Sequence, residues 1–188
     1  MKKFFAMMLA LAMMLSMVAC GGTTTAEPTT EATEPALTLA GTMEELVNQV
    51  VTEQPVEFMG GIIPVDLTDT SEDGLWAIKS YTGLDSAENI TDVAVFEPMM
   101  GSIGFSLVMV RTTSDAAKSV AESMKAGIDQ RKWICVEADD LKVAGFGDVV
   151  MLIMVDSTNG MTSQSFVDAF GKVIAAQFEG VEPEFVLE

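Results

Sequence analysis

The side chains able to do acid–base work in this chain are carboxylates. It holds 28 acids against 10 bases and no histidine, for a formal charge of −18. A serine or cysteine nucleophile of the Ser-His-Asp or Cys-His type needs a neighbouring base that titrates near neutrality, and the absence of imidazole argues against that class. What remains is a pair of carboxylates of the kind that cleaves glycosidic bonds, with Glu97, Glu137, Asp139 and Asp140 as candidates whose separation only the fold can set. Cys135 lies in the apolar run Trp133-Ile134-Cys135-Val136, which reads as a strand with the thiol as a small buried hydrophobe. Asp69-Thr70-Ser71-Glu72-Asp73-Gly74 matches the opening of a calcium loop. Ser80 stands at the twelfth position, where such a loop has glutamate, so the stretch reads instead as an acidic helix N-terminus. Gly145-Phe146-Gly147 precedes an apolar strand and lacks a third glycine, so it reads as a hairpin turn and not as a phosphate loop. No cofactor and no metal site are implied, since zinc wants grouped His or Cys ligands.

Arg131-Lys132 is the one adjacent pair of bases after residue 3, and Trp133 follows it. A local positive spot with an aromatic face suits a carboxylate or a sugar. Together with Met99 and Met100 these residues form a candidate ligand or partner patch. The competing reading pairs both bases with nearby acids and sends Trp133 to the core. A chain this acidic is repelled by nucleic-acid phosphates, so nucleic acid is excluded as a partner.

The elements that must position these residues begin near Leu37. Thr42-Met43-Glu44-Glu45 has capping-box spacing ahead of Leu46, Val47, Val50 and Val51, which predicts a helix over 42–53. A crossing at Gly60-Gly61-Ile62-Ile63-Pro64 leads to a second helix opening at 69–73 and stopping at Gly83. Strand patterns follow at 93–96 and 103–110, then a helix capped by Ser114 and closed by Gly127. Strand character at 133–136, 141–144 and 149–155 precedes a last helix over 163–178. The expected fold is α+β, an antiparallel sheet with helices packed on one face in the order α-α-β-β-α-β-β-α. The similar order of 92–127 and 141–179 suggests a ββα duplication, although ββα is a common unit.

The beginning of the chain is of a different kind. Met1-Lys2-Lys3 is followed by the apolar stretch Phe4 to Val18, a secretory signal too short to span a bilayer comfortably, since a span takes about 20 residues. Met17-Val18-Ala19-Cys20 with Gly21-Gly22 resembles the bacterial lipobox. That resemblance implies cleavage before Cys20, a diacylglyceryl thioether on it, and localisation at the outer face of the cytoplasmic membrane, of Gram-positive type. Loss of Lys2 and Lys3 with the signal leaves 28 acids and 8 bases, a charge of −20. Residues 20–36, rich in Thr, Pro and Glu, cannot seed a core and read as a tether. The expected organisation is therefore a signal at 1–19, the lipidated cysteine and tether at 20–36, and one globular domain at 37–188. Cys135 is the only thiol left in that domain, so packing without a disulfide must hold it.

Five stretches carry a broader resemblance: 63–67 (IPVDL), 81–84 (YTGL), 97–106 (EPMMGSIGFS), 130–137 (QRKWICVE) and 147–150 (GDVV). Together they look like a family of uncharacterised Gram-positive lipoproteins, a domain of unknown function. The resemblance implies a surface-anchored domain and brings no catalytic residues with it. The expectation is thus a non-catalytic module that binds a cell-surface protein or cell-wall component while held to the membrane through Cys20. The alternative is a carboxylate-based hydrolase of cell-wall polymer, which needs two acids facing each other across a cleft. A two-lobed solute-binding protein does not fit about 150 residues.

Overall fold

The computed structural model describes residues 37–113 and 115–188. The signal, Cys20 and the tether lie outside the described residues, as does Ser114. The elements are α1 (Met43–Glu53), β1 (Gly60–Ile63), α2 (Glu72–Thr82), β2 (Ile90–Pro98), β3 (Phe105–Thr112), α3 (Ala117–Gly127), β4 (Asp140–Phe146), β5 (Val149–Val155), a 3₁₀ turn (Ser157–Asn159), α4 (Ser163–Gln177) and β6 (Phe185–Leu187). The six strands form one sheet in the order β1-β2-β3-β5-β4-β6. Every neighbouring pair is antiparallel, so the class is α+β.

Local signals account for most element ends. Thr42 accepts the Glu45 N–H while the Glu45 carboxylate accepts the Thr42 N–H, so two donors that α1 leaves unpaired are satisfied by its own sequence. Ser71 caps α2, and Gly83 ends it in the left-handed conformation. Gly147 (φ +56) takes the first position of the two-residue β4–β5 hairpin loop, the place a type II′ turn gives to glycine. The third helix differs from expectation: its cap position is Ala116, which offers no side-chain bond.

Helices cover both faces of the sheet, not one. All seven residues of β5 are buried. Val149, Met151, Ile153 and Val155 meet α1 and α4 in one core, while Val150, Leu152 and Met154 meet α2 and α3 in the other. Alternation along a strand makes this division inevitable once both faces are covered. The order ββα does recur, as β2-β3-α3 and β4-β5-α4. However, β3 and β5 pair antiparallel, and only a two-fold axis normal to the sheet exchanges them; that axis keeps faces unchanged, whereas α3 and α4 occupy opposite faces. The two units are therefore not related by a symmetric duplication of the architecture.

Three further segments depart from the sequence pattern. Gly60–Ile63 is an edge strand and not a mere crossing, and Phe185–Leu187 forms the other edge. Residues 133–136 form no strand; they sit at the apex of a loop between α3 and β4. That loop is closed at its neck by the Ala138 N–H donating to the Gln130 carbonyl (2.9 Å) and by Gln130 Nε2 donating to the Ala138 carbonyl (2.8 Å).

Candidate functional site

The loop at 130–138 is held down by its lysine. Lys132 Nζ pairs with Glu97 Oε1, and the two side chains are only 8% and 9% exposed. Glu97 on β2 stands opposite Ser106 on β3, because the ladder that sets Phe96 against Leu107 continues one step outward. Ser106 Oγ donates to Glu97 Oε1 at 2.7 Å. Lys132 Nζ also donates to the Ser80 carbonyl and to Ser106 Oγ, both at 3.3 Å. Its ammonium lies 5.0 Å from the centre of the Tyr81 ring and 5.3 Å from that of Trp133. Burial holds the ammonium below its usual 10.5, with Glu97 pulling the other way. Burial also raises the Tyr81 hydroxyl, and the Glu97 charge adds to that.

This arrangement resolves the two readings of the basic pair. Lys132 is spent on Glu97, and Arg131 Nε donates to Glu137 at 2.6 Å on the surface. Trp133 is half-buried against the core shared with α2 and α3. Lys132 is thus paired as the competing reading had it, while the Arg131 side chain, 78% exposed, pairs only at the surface. Cys135 is exposed, with φ +67, and Ile134 is 87% exposed, so these two residues of the run face outward while Lys132 is turned inward. The loop lies beside the β2–β3 connection: a Cβ on Gly104 would come within 2.5 Å of the Glu137 carbonyl oxygen, an approach only glycine permits.

Beyond Pro98 the same end of the sheet carries methionines. Gly60 pairs with Pro98, and the Met99 N–H donates to the Met59 carbonyl at 2.9 Å, extending the β1–β2 ladder by one residue. Directly opposed residues of an antiparallel ladder share a face with Cβ atoms roughly 5 Å apart. By alternation that face is the one bearing Glu97. Met59, Met99 and Met100 are 78%, 72% and 67% exposed. Of the expected patch, then, Met99 and Met100 are at the surface and Arg131, Lys132 and Trp133 form the loop locked beside them. Sequence reasoning missed Met59, Ile134 and the roles of Glu97 and Ser106. Reading Gly60–Ile63 as a strand paired to β2 would have brought Met59 opposite Met99.

The four carboxylates offered for hydrolysis are dispersed among structural tasks. Glu97 and Glu137 hold Lys132 and Arg131. Asp139 accepts the Ser157 N–H and hydroxyl, both at 2.7 Å, and these bonds keep its carboxyl below the usual 3.8. Asp140 accepts the N–H and hydroxyl of Ser163 at the start of α4. Open grooves of about 510, 540 and 570 Å³ lie over α2 and α3, along α4, and along residues 54–58, and none is lined by any of the four. Asp69 accepts from Ser71, which lowers its carboxyl below 3.8, and Ser71 in turn caps Gly74. Among the described residues no three of His, Cys, Asp and Glu are grouped to hold a metal, and no helix is long and apolar enough to cross a membrane.

Comparison with protein-family profiles, with curated proteins and with solved structures gave no match.

Proposed function

We propose that this protein is a lipid-anchored extracytoplasmic module that binds a surface component through the methionine-bearing end of its sheet and performs no catalysis. One observation carries the binding role: Met59, Met99, Met100 and Ile134 stand exposed at an end of the sheet whose connecting loop is fixed from beneath by a buried ion pair. Exposed apolar side chains grouped on a domain surface mark an interaction site. Rigid support lowers the ordering cost of binding there. Met17-Val18-Ala19-Cys20 supports the anchor, and the stretches that resemble Gram-positive lipoproteins support the same localisation. The 17 residues from Cys20 to Ala36 reach at most about 60 Å when fully extended, enough to hold the domain at 37–188, whose 25 acids and 8 bases give −17, away from an anionic bilayer.

Intact mass of the membrane-extracted protein tests this, comparing the natural chain with Cys20→Ala. The expected mass is that of the chain from Cys20 plus diacylglycerol, absent in the variant. A natural chain that keeps its first 19 residues, or one found without lipid in the soluble fraction, overturns the anchor.

A further inference from the structure

We propose that the methionine end of the sheet is a binding site for a soft monovalent metal ion, Cu(I) by chemical class, held by the thioethers of Met59 and Met99. The inference deepens the binding role proposed above and does not depend on the anchor. It starts from the register. Met59 and Met99 are opposed across the β1–β2 ladder, joined by the 2.9 Å backbone bond. Their Cβ atoms therefore start roughly 5 Å apart on one face. Two sulfurs on one ion, each at about 2.3 Å, must come within about 4–4.6 Å of each other. Side chains with three rotatable bonds reach that separation without moving the backbone. Alternation turns Met100, the next residue, toward the other face, so it stands as the internal control.

The donor set selects the ion. Thioethers favour Cu(I) and its analogue Ag(I), whereas zinc, Cu(II) and nickel want imidazole, thiolate or carboxylate nitrogen and oxygen sets. The chain has no histidine, and among the described residues no trio of His, Cys, Asp and Glu competes. The sequence reading of no metal site counted only those harder ligands. Both thioethers are more than two-thirds exposed, so no core contact accounts for methionine at these positions. A surrounding charge of −18 raises the local concentration of any cation.

The test uses the full chain carrying Cys20→Ser and Cys135→Ser, so that no thiol takes the ion, with methyl-labelled methionine and Ag(I) as the probe. Whatever N-terminus the preparation carries is the same for each variant compared. The expected result is that the methyl signals of Met59 and Met99, assigned by single Met→Leu variants, shift together and saturate at one equivalent, while Met100 does not follow them. Met59→Leu should weaken the Met99 response by roughly 10-fold or more, as loss of a ligand requires, while Zn(II) moves none of the three. Leucine keeps the surface apolar, and at exposed positions it should leave the thermal midpoint unchanged, which separates ligand loss from unfolding. Shifts that keep growing past several equivalents, or a Met99 response indifferent to Met59→Leu, overturn the proposal. The mass comparison on the natural chain tests the anchor separately, so a null titration refutes the metal site alone and leaves the anchor standing.

Discussion

Replacing Lys132 by methionine tests whether the loop at 130–138 is held by its ion pair. The substitution keeps most of the side-chain volume and removes the ammonium, leaving Glu97 buried with Ser106 Oγ as its remaining donor. Removing one partner of a buried pair costs about 3–5 kcal/mol, because the other charge stays out of water without compensation. For a domain near 150 residues each kcal/mol lowers the midpoint by about 2–4 °C, so Lys132→Met should melt about 6–20 °C below the natural chain. Glu97→Leu should fall in the same range, since the ammonium then keeps only the Ser80 carbonyl and Ser106 Oγ.

The double variant Lys132→Met with Glu97→Leu carries the sharper expectation. Burial outweighs the Glu97 attraction in setting the Lys132 ammonium below 10.5, which means the charged form is disfavoured in the fold relative to water. Removing both charges should therefore cost little or stabilise, apart from about 1 kcal/mol for the stranded Ser106 hydroxyl. Urea unfolding of all four species closes the cycle, with an expected coupling of several kcal/mol. The linkage has a definite sign: below 10.5 and above the folded value the unfolded chain binds more protons at Lys132, so this group makes stability rise with pH in that window. Single variants that each cost under about 1 kcal/mol would refute the claim that the pair fixes the loop.

Two other perturbations have directions set by the structure. Arg111 donates to the carbonyls of Leu39 (2.9 Å) and Gly41 (2.8 Å) and to Asp148 Oδ2 (2.7 Å), and Asp148 Oδ1 is already buried without a partner; Arg111→Ala should cost about 3 kcal/mol by urea unfolding, and Arg111→Lys should not restore it, because an ammonium cannot fork to three acceptors this way. Asp139 is held below 3.8 by the Ser157 N–H and then by its hydroxyl, so the stability it lends is complete above 3.8 and disappears as pH falls through the folded value; the advantage of the natural chain over Asp139→Asn in thermal midpoint should shrink as pH drops below 3.8, and an advantage that is flat down to pH 2 would contradict it.

What was legible in the sequence was local. The capping box at Thr42–Glu45 needs only four adjacent residues, and α1 begins where it says. The run at 149–155 announced β5 at its observed bounds, and its lack of alternation also carried the information that both faces are covered, which the one-face expectation did not use. The two edge strands, of four and three residues, were illegible because their half-buried patterns differ little from loop. Trp133–Val136 misled for a physical reason. Its apolar, β-branched residues match a strand, but no ladder has room for them, and the decisive contact is Lys132 reaching residues on β2 and β3 far away in the chain. At the candidate site Met99 and Met100 stood in the stretch 97–106 that the sequence already singled out, whereas Met59 enters only through register.

The two ends of the sheet serve different purposes, and their separation bears on the proposed function. Residues 37–41 enter beside the Gly147 turn, where Arg111 at the end of β3 clasps them. The methionines lie past the opposite end of β2, whose nine residues span about 30 Å. Under the proposed anchor at Cys20, the chain is gripped at one end of a stiff sheet and displays thioethers at the other. The acidic surface works in the same direction, since repulsion from anionic head groups favours orientations that hold the domain off the bilayer. Positioning at the far end therefore requires neither a hinge nor a second domain. The clasp at Arg111 sets where the domain is held, the Lys132–Glu97 pair fixes the loop beside the tip, and the β1–β2 register decides which side chains meet there.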